Sequence, residues 1–148
     1  MTIPRAGRIL AVDWGERRFG IAVSDDSQII ASPLRTLTRR SGKRFPMPAF
    51  LELARAEQAI GVVVGLPLSP EGEEGAAAES ARELARSIAT RSQLPVELLD
   101  ERMTTARALA AIREQGGSTR GRRDEVDALA ASVLLQNYLE SRRNRDPA

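Results

Sequence analysis

The succession of short apolar runs limits the folds open to this chain more than any other feature of its sequence. Three runs rich in β-branched residues follow one another near the start, and strand-like and helix-like segments then alternate. The predicted strands span residues 8–14, 19–25, 28–37, 60–67 and 94–100, and the predicted helices span residues 49–59, 76–91, 104–115 and 124–143. Successive strands favour antiparallel pairing, whereas strands joined through a helix favour parallel pairing. We therefore expect an α/β fold, a mixed sheet with an antiparallel edge and helices on both faces.

The chain is expected to form a single domain, residues 1–148, with an ordered core at about residues 8–141. Its length suffices for one continuous core, and we identify no internal repeat and no domain-scale linker. No apolar run approaches the roughly 18 residues that a membrane-spanning helix needs. The first ten residues lack the apolar stretch and the small-residue cleavage site of a signal peptide, so a cytoplasmic location is predicted.

The absence of cysteine and histidine excludes several kinds of active site. There can be no cysteine nucleophile, no histidine base, no zinc site built from these residues and no Ser-His-Asp triad. Any catalysis must therefore rely on carboxylates, hydroxyl groups, arginine and a hard metal ion.

Positive charge is concentrated at the two ends of the chain. Lys43 is the only lysine, so the other 21 of the 22 basic residues are arginines. The net charge is +5 for residues 1–44, −6 for residues 45–101 and +3 for residues 102–148. Arginine presents a planar fork of donors that suits phosphate, which favours a nucleic acid as the partner. A bias in genomic base composition would explain the arginine content equally well.

Four carboxylates stand where a sheet and a helix could bring them together. Asp13 lies near the end of an apolar strand, and Glu101 follows another strand. Asp127 opens the apolar face of the last helix, with Asp124 one turn earlier. Carboxylates crowded into one crevice repel each other unless a cation lies between them, and Mg²⁺ or Mn²⁺ binds such hard oxygen ligands. Two such ions roughly 4 Å apart would support hydrolysis of a phosphodiester.

Each of these acids also has a structural interpretation. Asp13 could cap the turn that follows its strand, and Asp124 could cap the last helix and complement its dipole. Glu101 could belong to a solvated acidic loop. Asp127 is the hardest to explain in this way, because it occupies a position that faces the core.

Four segments resemble the YqgF/RuvX family of the RNase H-like superfamily, which includes the RuvC resolvases. They are ILAVDWGERRFGIAVSD, VVVGLPLSPEGEEG, VELLDERMTTARA and EVDALAASVLLQNYLES, in this order between about residues 8 and 141. The resemblance implies a five-stranded RNase H-like sheet whose first three strands are antiparallel. It also implies that Asp13, Glu101 and Asp127 are the catalytic, metal-binding acids. Whether Asp124 joins them as a metal ligand or caps the helix is open.

The family is described both as a Holliday junction resolvase and as a nuclease that matures the 5′ end of pre-16S ribosomal RNA. Either activity hydrolyses phosphodiester bonds with Mg²⁺ or Mn²⁺, and the family resemblance favours RNA processing. Cleavage of a symmetric junction would call for a homodimer with two active sites. A non-catalytic nucleic-acid-binding module is a further alternative. No nucleotide cofactor is expected, because ATP-binding proteins with a similar D-x-G turn pair two such domains in a longer chain.

Basic and polar residues near these acids are candidate contacts for nucleic acid. Arg102 and Thr104 neighbour Glu101 and could orient it or contact the scissile phosphate. The remaining candidates for contacts to backbone phosphates are Arg17, Arg18, Arg120, Arg122 and Arg123. The last three could equally form a solvated basic loop. Gly65-Leu66-Pro67 could place backbone amides near a phosphate or form a turn without a ligand.

Overall fold

The structure, a computed structural model, describes residues 2–14, 18–38, 44–67, 73–101 and 123–145. Within these ranges the description of residues 14, 123–126 and 145 is limited to the backbone. The strands are β1 (Ile9–Trp14), β2 (Arg18–Ser24), β3 (Ala31–Thr38), β4 (Gly61–Leu66) and β5 (Val96–Asp100). The helices are α1 (Met47–Ala56), α2 (Ala76–Ser92) and α3 (Arg123–Arg145). The helix predicted at residues 104–115 lies outside the described residues.

The five strands form one sheet in the order β3-β2-β1-β4-β5. β2 pairs antiparallel with both β1 and β3, whereas β4 runs parallel to both β1 and β5. The prediction of a five-stranded mixed sheet with three antiparallel strands is thus confirmed. Because β1, β4 and β5 are parallel, their carboxyl ends lie at the same edge of the sheet.

Alternation along the strands sends side chains into two hydrophobic layers, one on each face of the sheet. In β1, Leu10 and Val12 pack with residues of α1 and α2, whereas Ile9 and Ala11 pack with residues of α3. The all-apolar β4 suits this arrangement, since all of its residues are buried. Helices therefore cover both faces, as predicted. The same alternation places Asp13, two residues after Ala11, on the face that α3 covers.

β3 begins at Ala31, three residues later than predicted, because a turn precedes it. The Asp25 carboxylate accepts hydrogen bonds from the backbone amides of Ile29 and Ile30, at 2.7 and 3.0 Å. Gln28 lies in the left-handed region, with φ of 58°. These contacts keep the first residues of the predicted strand out of the sheet.

α1 begins at Met47, two residues before the predicted start at residue 49. Pro46 occupies the N-cap position without a capping hydrogen bond from its side chain, and Pro48 lies in the first turn, where a missing backbone N–H costs no hydrogen bond. The helix ends at Ala56, three residues before the predicted end. The other described elements agree with their predicted bounds to within two residues.

Polar side chains attach α3 to the antiparallel side of the molecule. Gln136 accepts a hydrogen bond from the Ala31 amide and donates one to the Ile29 carbonyl, both at 2.9 Å. The buried Arg142 donates to the Ile3 carbonyl. These contacts hold the helix across the sheet. Neither α3 nor any other helix in the described part of the chain is long and apolar enough to cross a membrane.

Candidate active site

Three of the predicted acids lie at the edge where β1, β4 and β5 end, on the α3 side of the sheet. Asp13 is the fifth residue of β1, Glu101 directly follows β5, and Asp127 is the fifth residue of α3. Ala11 and Leu99, two residues before Asp13 and Glu101, both pack in the layer that α3 covers. Since side chains alternate along a strand, both acids point to this layer. Strand order and alternation thus bring the carboxylates together.

Asp13 and Glu101 form a hydrogen-bonded pair of carboxyl groups. Burial raises the pKa of Asp13 to about 8, and the charge of Glu101, their hydrogen bond and the charge of Asp127 act in the same direction. Burial also raises the pKa of Glu101, which the hydrogen bond from Asp13 partly offsets and the charge of Asp100 reinforces. Two carboxyl groups can hydrogen-bond only through a proton. The two carboxyl groups therefore share one proton at neutral pH.

Glu101 reaches Asp13 past a glycine in the strand between them. Gly65 of β4 pairs with Leu99 of β5, and a Cβ atom at position 65 would lie 2.5 Å from Glu101 Oε1. This oxygen is buried. Gly65 and Leu66 belong to β4, so the interpretation of these two residues as a turn is wrong.

Arg18 lies beside Asp127, the third acid. Its Nε atom is 3.0 Å from Asp127 Oδ2, and the two side chains are 28% and 34% exposed. The ion pair is therefore half-buried. The sequence predicted Arg18 as a contact for phosphate, whereas in the structure its guanidinium faces a carboxylate.

Gly20 of β2 lets α3 approach the sheet closely beside Asp13. It is the partner of Asp13 in the register of β1 and β2. A Cβ atom at position 20 would overlap the carbonyl oxygen of Asp127 and lie 2.5 Å from its carbonyl carbon. These are backbone atoms, so no rotation of a side chain could relieve the clash. Gly20 therefore sets how deeply Asp127 enters the site.

The remaining predicted site residues lie outside the described side chains. Arg123 and Asp124 begin α3, but only their backbone is described. The other predicted contacts lie entirely outside the described residues, namely Arg17, Arg102, Thr104, Arg120 and Arg122. Whether Asp124 is a metal ligand or a helix cap therefore stays a prediction.

Neither the ion pair of Arg18 with Asp127 nor the space that the two glycines provide was predicted from the sequence. A signal for Gly20 was available, because antiparallel pairing of the predicted strands at residues 8–14 and 19–25 brings residue 13 near residue 20. Gly65 gave no such signal, since α2 and β5 separate it in the sequence from its spatial neighbour Glu101. Arg18 gave none either, because its partner begins the last helix of the chain.

Protein groups balance the negative charge of the site. The proton on Asp13 and the guanidinium of Arg18 each offset one charge. Among the described side chains, no three acids form a ready-made metal-binding cluster. The donor set nevertheless suits a hard divalent ion, because it consists of carboxylate oxygens. The carboxyl groups of Asp13 and Glu101 are in contact, and that of Asp127 lies beside them. Such an ion fits if it replaces the shared proton and if Asp127 leaves Arg18.

Comparisons of the sequence with known proteins place the chain in one family. Residues 7–141 match the RuvX family, described as Holliday junction resolvase. A protein of Anaeromyxobacter sp. (strain Fw109-5) named "Putative pre-16S rRNA nuclease" is 41% identical over 135 residues, which cover 91% of this chain and 98% of the relative. A protein of Nocardioides sp. (strain ATCC BAA-499 / JS614) with the same name is 42% identical over 142 residues, which cover 94% of this chain and 91% of the relative.

Solved structures show the same fold. RuvC of T. thermophilus in complex with a Holliday junction substrate superposes with a TM-score of 0.56 at 19% identity, covering 92% of this chain and 95% of that chain. A second structure of Thermus thermophilus RuvC gives a TM-score of 0.55 at 18% identity, covering 93% of this chain and 96% of that chain. At this identity the likeness establishes the RNase H-like fold. The match over residues 7–141 and relatives above 40% identity show that the chain belongs to the RuvX family, a family of nucleases.

Proposed function

We propose that this chain is a single-domain, divalent-metal-dependent nuclease that acts in the cytoplasm on structured nucleic acid, with the 5′ end of pre-16S rRNA as its substrate. The contact of Asp13 with Glu101, beside Asp127, carries this proposal. Buried carboxyl groups next to each other cost free energy of folding, and apolar residues would pack the same space more favourably. A role as ligands for a cation explains why acids occupy these positions.

Asp13, Glu101 and Asp127 would hold Mg²⁺ or Mn²⁺, with Asp124 as a candidate fourth ligand. When bound, such ions activate water and stabilise the leaving oxygen in hydrolysis of a phosphodiester. For this, Asp13 gives up the proton that it shares with Glu101, and Asp127 exchanges its ion pair with Arg18 for the cation. The Arg18 guanidinium then becomes available to a phosphate, together with the other proposed contacts Arg17, Arg102, Thr104, Arg120, Arg122 and Arg123.

The names and descriptions of related proteins suggest two candidate substrates. Relatives at about 40% identity carry the name of a pre-16S rRNA nuclease, which supports RNA as the substrate. The description of the family and the RuvC complex both refer to a Holliday junction, which supports a second candidate, junction cleavage. A symmetric junction presents two equivalent strands, so that activity would require a homodimer with two active sites.

Mapping of cleavage sites tests the proposal. The purified chain is incubated with Mn²⁺ and either a pre-16S rRNA fragment or an immobile four-way DNA junction. We expect cuts near the 5′ end of the mature rRNA sequence, and none in EDTA or in the Asp13→Asn and Asp127→Asn variants. Glu83→Gln is the matched control, because it removes an exposed acid of α2 and should leave cleavage unchanged.

The other outcomes are equally informative. Cuts in the junction but not in the RNA would replace the proposed substrate by the second candidate. Binding of both nucleic acids without any cut, unaffected by EDTA, would overturn the nuclease assignment and favour a non-catalytic binding module.

A further inference from the structure

Gly65 is the residue of β4 that lies against the carboxyl group of Glu101. A Cβ atom at position 65 would lie 2.5 Å from Glu101 Oε1 and 3.2 Å from both Cγ and Cδ. Carbon atoms in favourable contact are separated by about 3.5–4.0 Å. A methyl group and the present position of the Glu101 side chain are therefore incompatible.

The local backbone gives no other reason for a glycine here. Among the described glycines only Gly7 has a positive φ, so Gly65 has a conformation open to any residue. The three preceding residues of β4 are all valine, which suits a buried strand, whereas glycine weakens one. The space taken by Glu101 is what distinguishes position 65 from its neighbours.

We infer that Gly65 is a positioning residue of the metal site, because its missing side chain leaves the space through which the Glu101 carboxylate reaches Asp13. This inference rests on the proposed function, in which the two acids are ligands. The atoms in conflict form the flexible end of a side chain and not backbone. A methyl group at position 65 should therefore displace the carboxylate while leaving the fold intact.

Substitution of Gly65 by alanine tests the inference with Mn²⁺ alone as the ligand. We expect Gly65→Ala to weaken Mn²⁺ binding about 10- to 100-fold in calorimetric titrations, the usual effect of disturbing the support of a metal ligand. Gly75→Ala is the matched control, since a Cβ atom at position 75 would meet nothing within 4 Å. In EDTA, Gly65→Ala should melt close to the wild-type temperature, because the substitution displaces no backbone. Gly75→Ala should melt slightly lower, because Gly75 is the N-cap residue of α2 and alanine is less favourable there.

Shortening the side chain of Glu101 distinguishes two explanations for weaker Mn²⁺ binding by Gly65→Ala. One is displacement of the Glu101 carboxylate, and the other is a general disturbance of β4. Glu101→Asp withdraws the carboxylate from position 65 and should itself weaken Mn²⁺ binding. If Gly65 acts through Glu101, the double variant Gly65→Ala/Glu101→Asp binds Mn²⁺ as Glu101→Asp does, so the effects are not additive. Additive effects, or a Gly65→Ala variant that binds like the wild type, would overturn the inference and leave the metal site intact. A wild-type protein that does not bind Mn²⁺ would instead overturn the proposed function and this inference together.

Discussion

The titration of Asp13 should make the metal-free protein less stable as the pH rises. The pKa of this carboxyl is about 8 in the folded protein, against an ordinary value of 3.8. Between these values the folded state keeps a proton that the unfolded state has released, so the free energy of unfolding falls by about 1.4 kcal/mol per pH unit. Over the whole interval the loss approaches about 6 kcal/mol, a large part of the roughly 5–15 kcal/mol that stabilises a small domain.

The Asp13→Asn variant isolates this contribution. Asparagine keeps the size of the side chain and can donate an N–H to Glu101, but it does not titrate. The difference in unfolding free energy between variant and wild type cancels the contributions of groups that do not contact Asp13, so it reports the titration of the pair that Asp13 forms with Glu101. It should be near zero at about pH 4, reach about 4 kcal/mol in favour of the variant at pH 7, and level off above about pH 8.

Urea-induced unfolding, followed by circular dichroism in EDTA between pH 4 and pH 9, measures this difference. Glu83→Gln serves as the control, since it removes an exposed acid from α2 and should follow the wild type at every pH. A difference that stays constant between pH 5 and pH 8 would refute the reasoning, because Asp13 would then lose its proton at the same pH in both states.

Two further substitutions test the surroundings of the acids. Arg18→Gln should tighten Mn²⁺ binding up to about fivefold in calorimetric titrations, because a half-exposed ion pair worth at most about 1 kcal/mol no longer competes for Asp127. Weaker binding would show that Arg18 orients this acid instead. Gly20→Ala should lower the free energy of unfolding by about 3 kcal/mol in metal-free urea titrations, because the new methyl group meets backbone atoms of Asp127. A loss below about 1 kcal/mol would mean that α3 can shift at little cost.

The sheet could be predicted from the sequence because its signals are local. Short apolar runs give the positions of the strands, and the connections between them give their pairing directions, without any knowledge of distant contacts. The order β3-β2-β1-β4-β5 was not predicted from these signals. The start of β3 could not be predicted in this way, since Ile29 and Ile30 continue the apolar run. They are 47% and 60% exposed, because hydrogen bonds to the Asp25 carboxylate hold them in a turn. A contact of one side chain with the backbone overrides the hydropathy pattern there.

The sequence indicated which acids could lie at the candidate site, but it did not indicate their charge states. Asp13, Glu101 and Asp127 stand out because each follows or opens an apolar segment. The proton shared by the first two depends on burial and on their separation, which only the folded chain determines. The ion pair of Arg18 with Asp127 depends on how deeply α3 lies against β2.

Gly20 and Gly65 flank Asp13 from the two neighbouring strands, and they create space in physically different ways. Gly20 is the partner of Asp13 in β2, and Gly65 follows Val64, which is the partner of Val12 in β4. At position 20 a side chain would collide with backbone, whereas at position 65 it would collide with the movable end of Glu101. Substitution at position 20 therefore acts on the packing of α3 and on folding, and substitution at position 65 acts on one ligand. A glycine within a strand costs stability, so the placement of two glycines beside the half-buried Asp13 indicates that this edge of the sheet is shaped for its carboxylates.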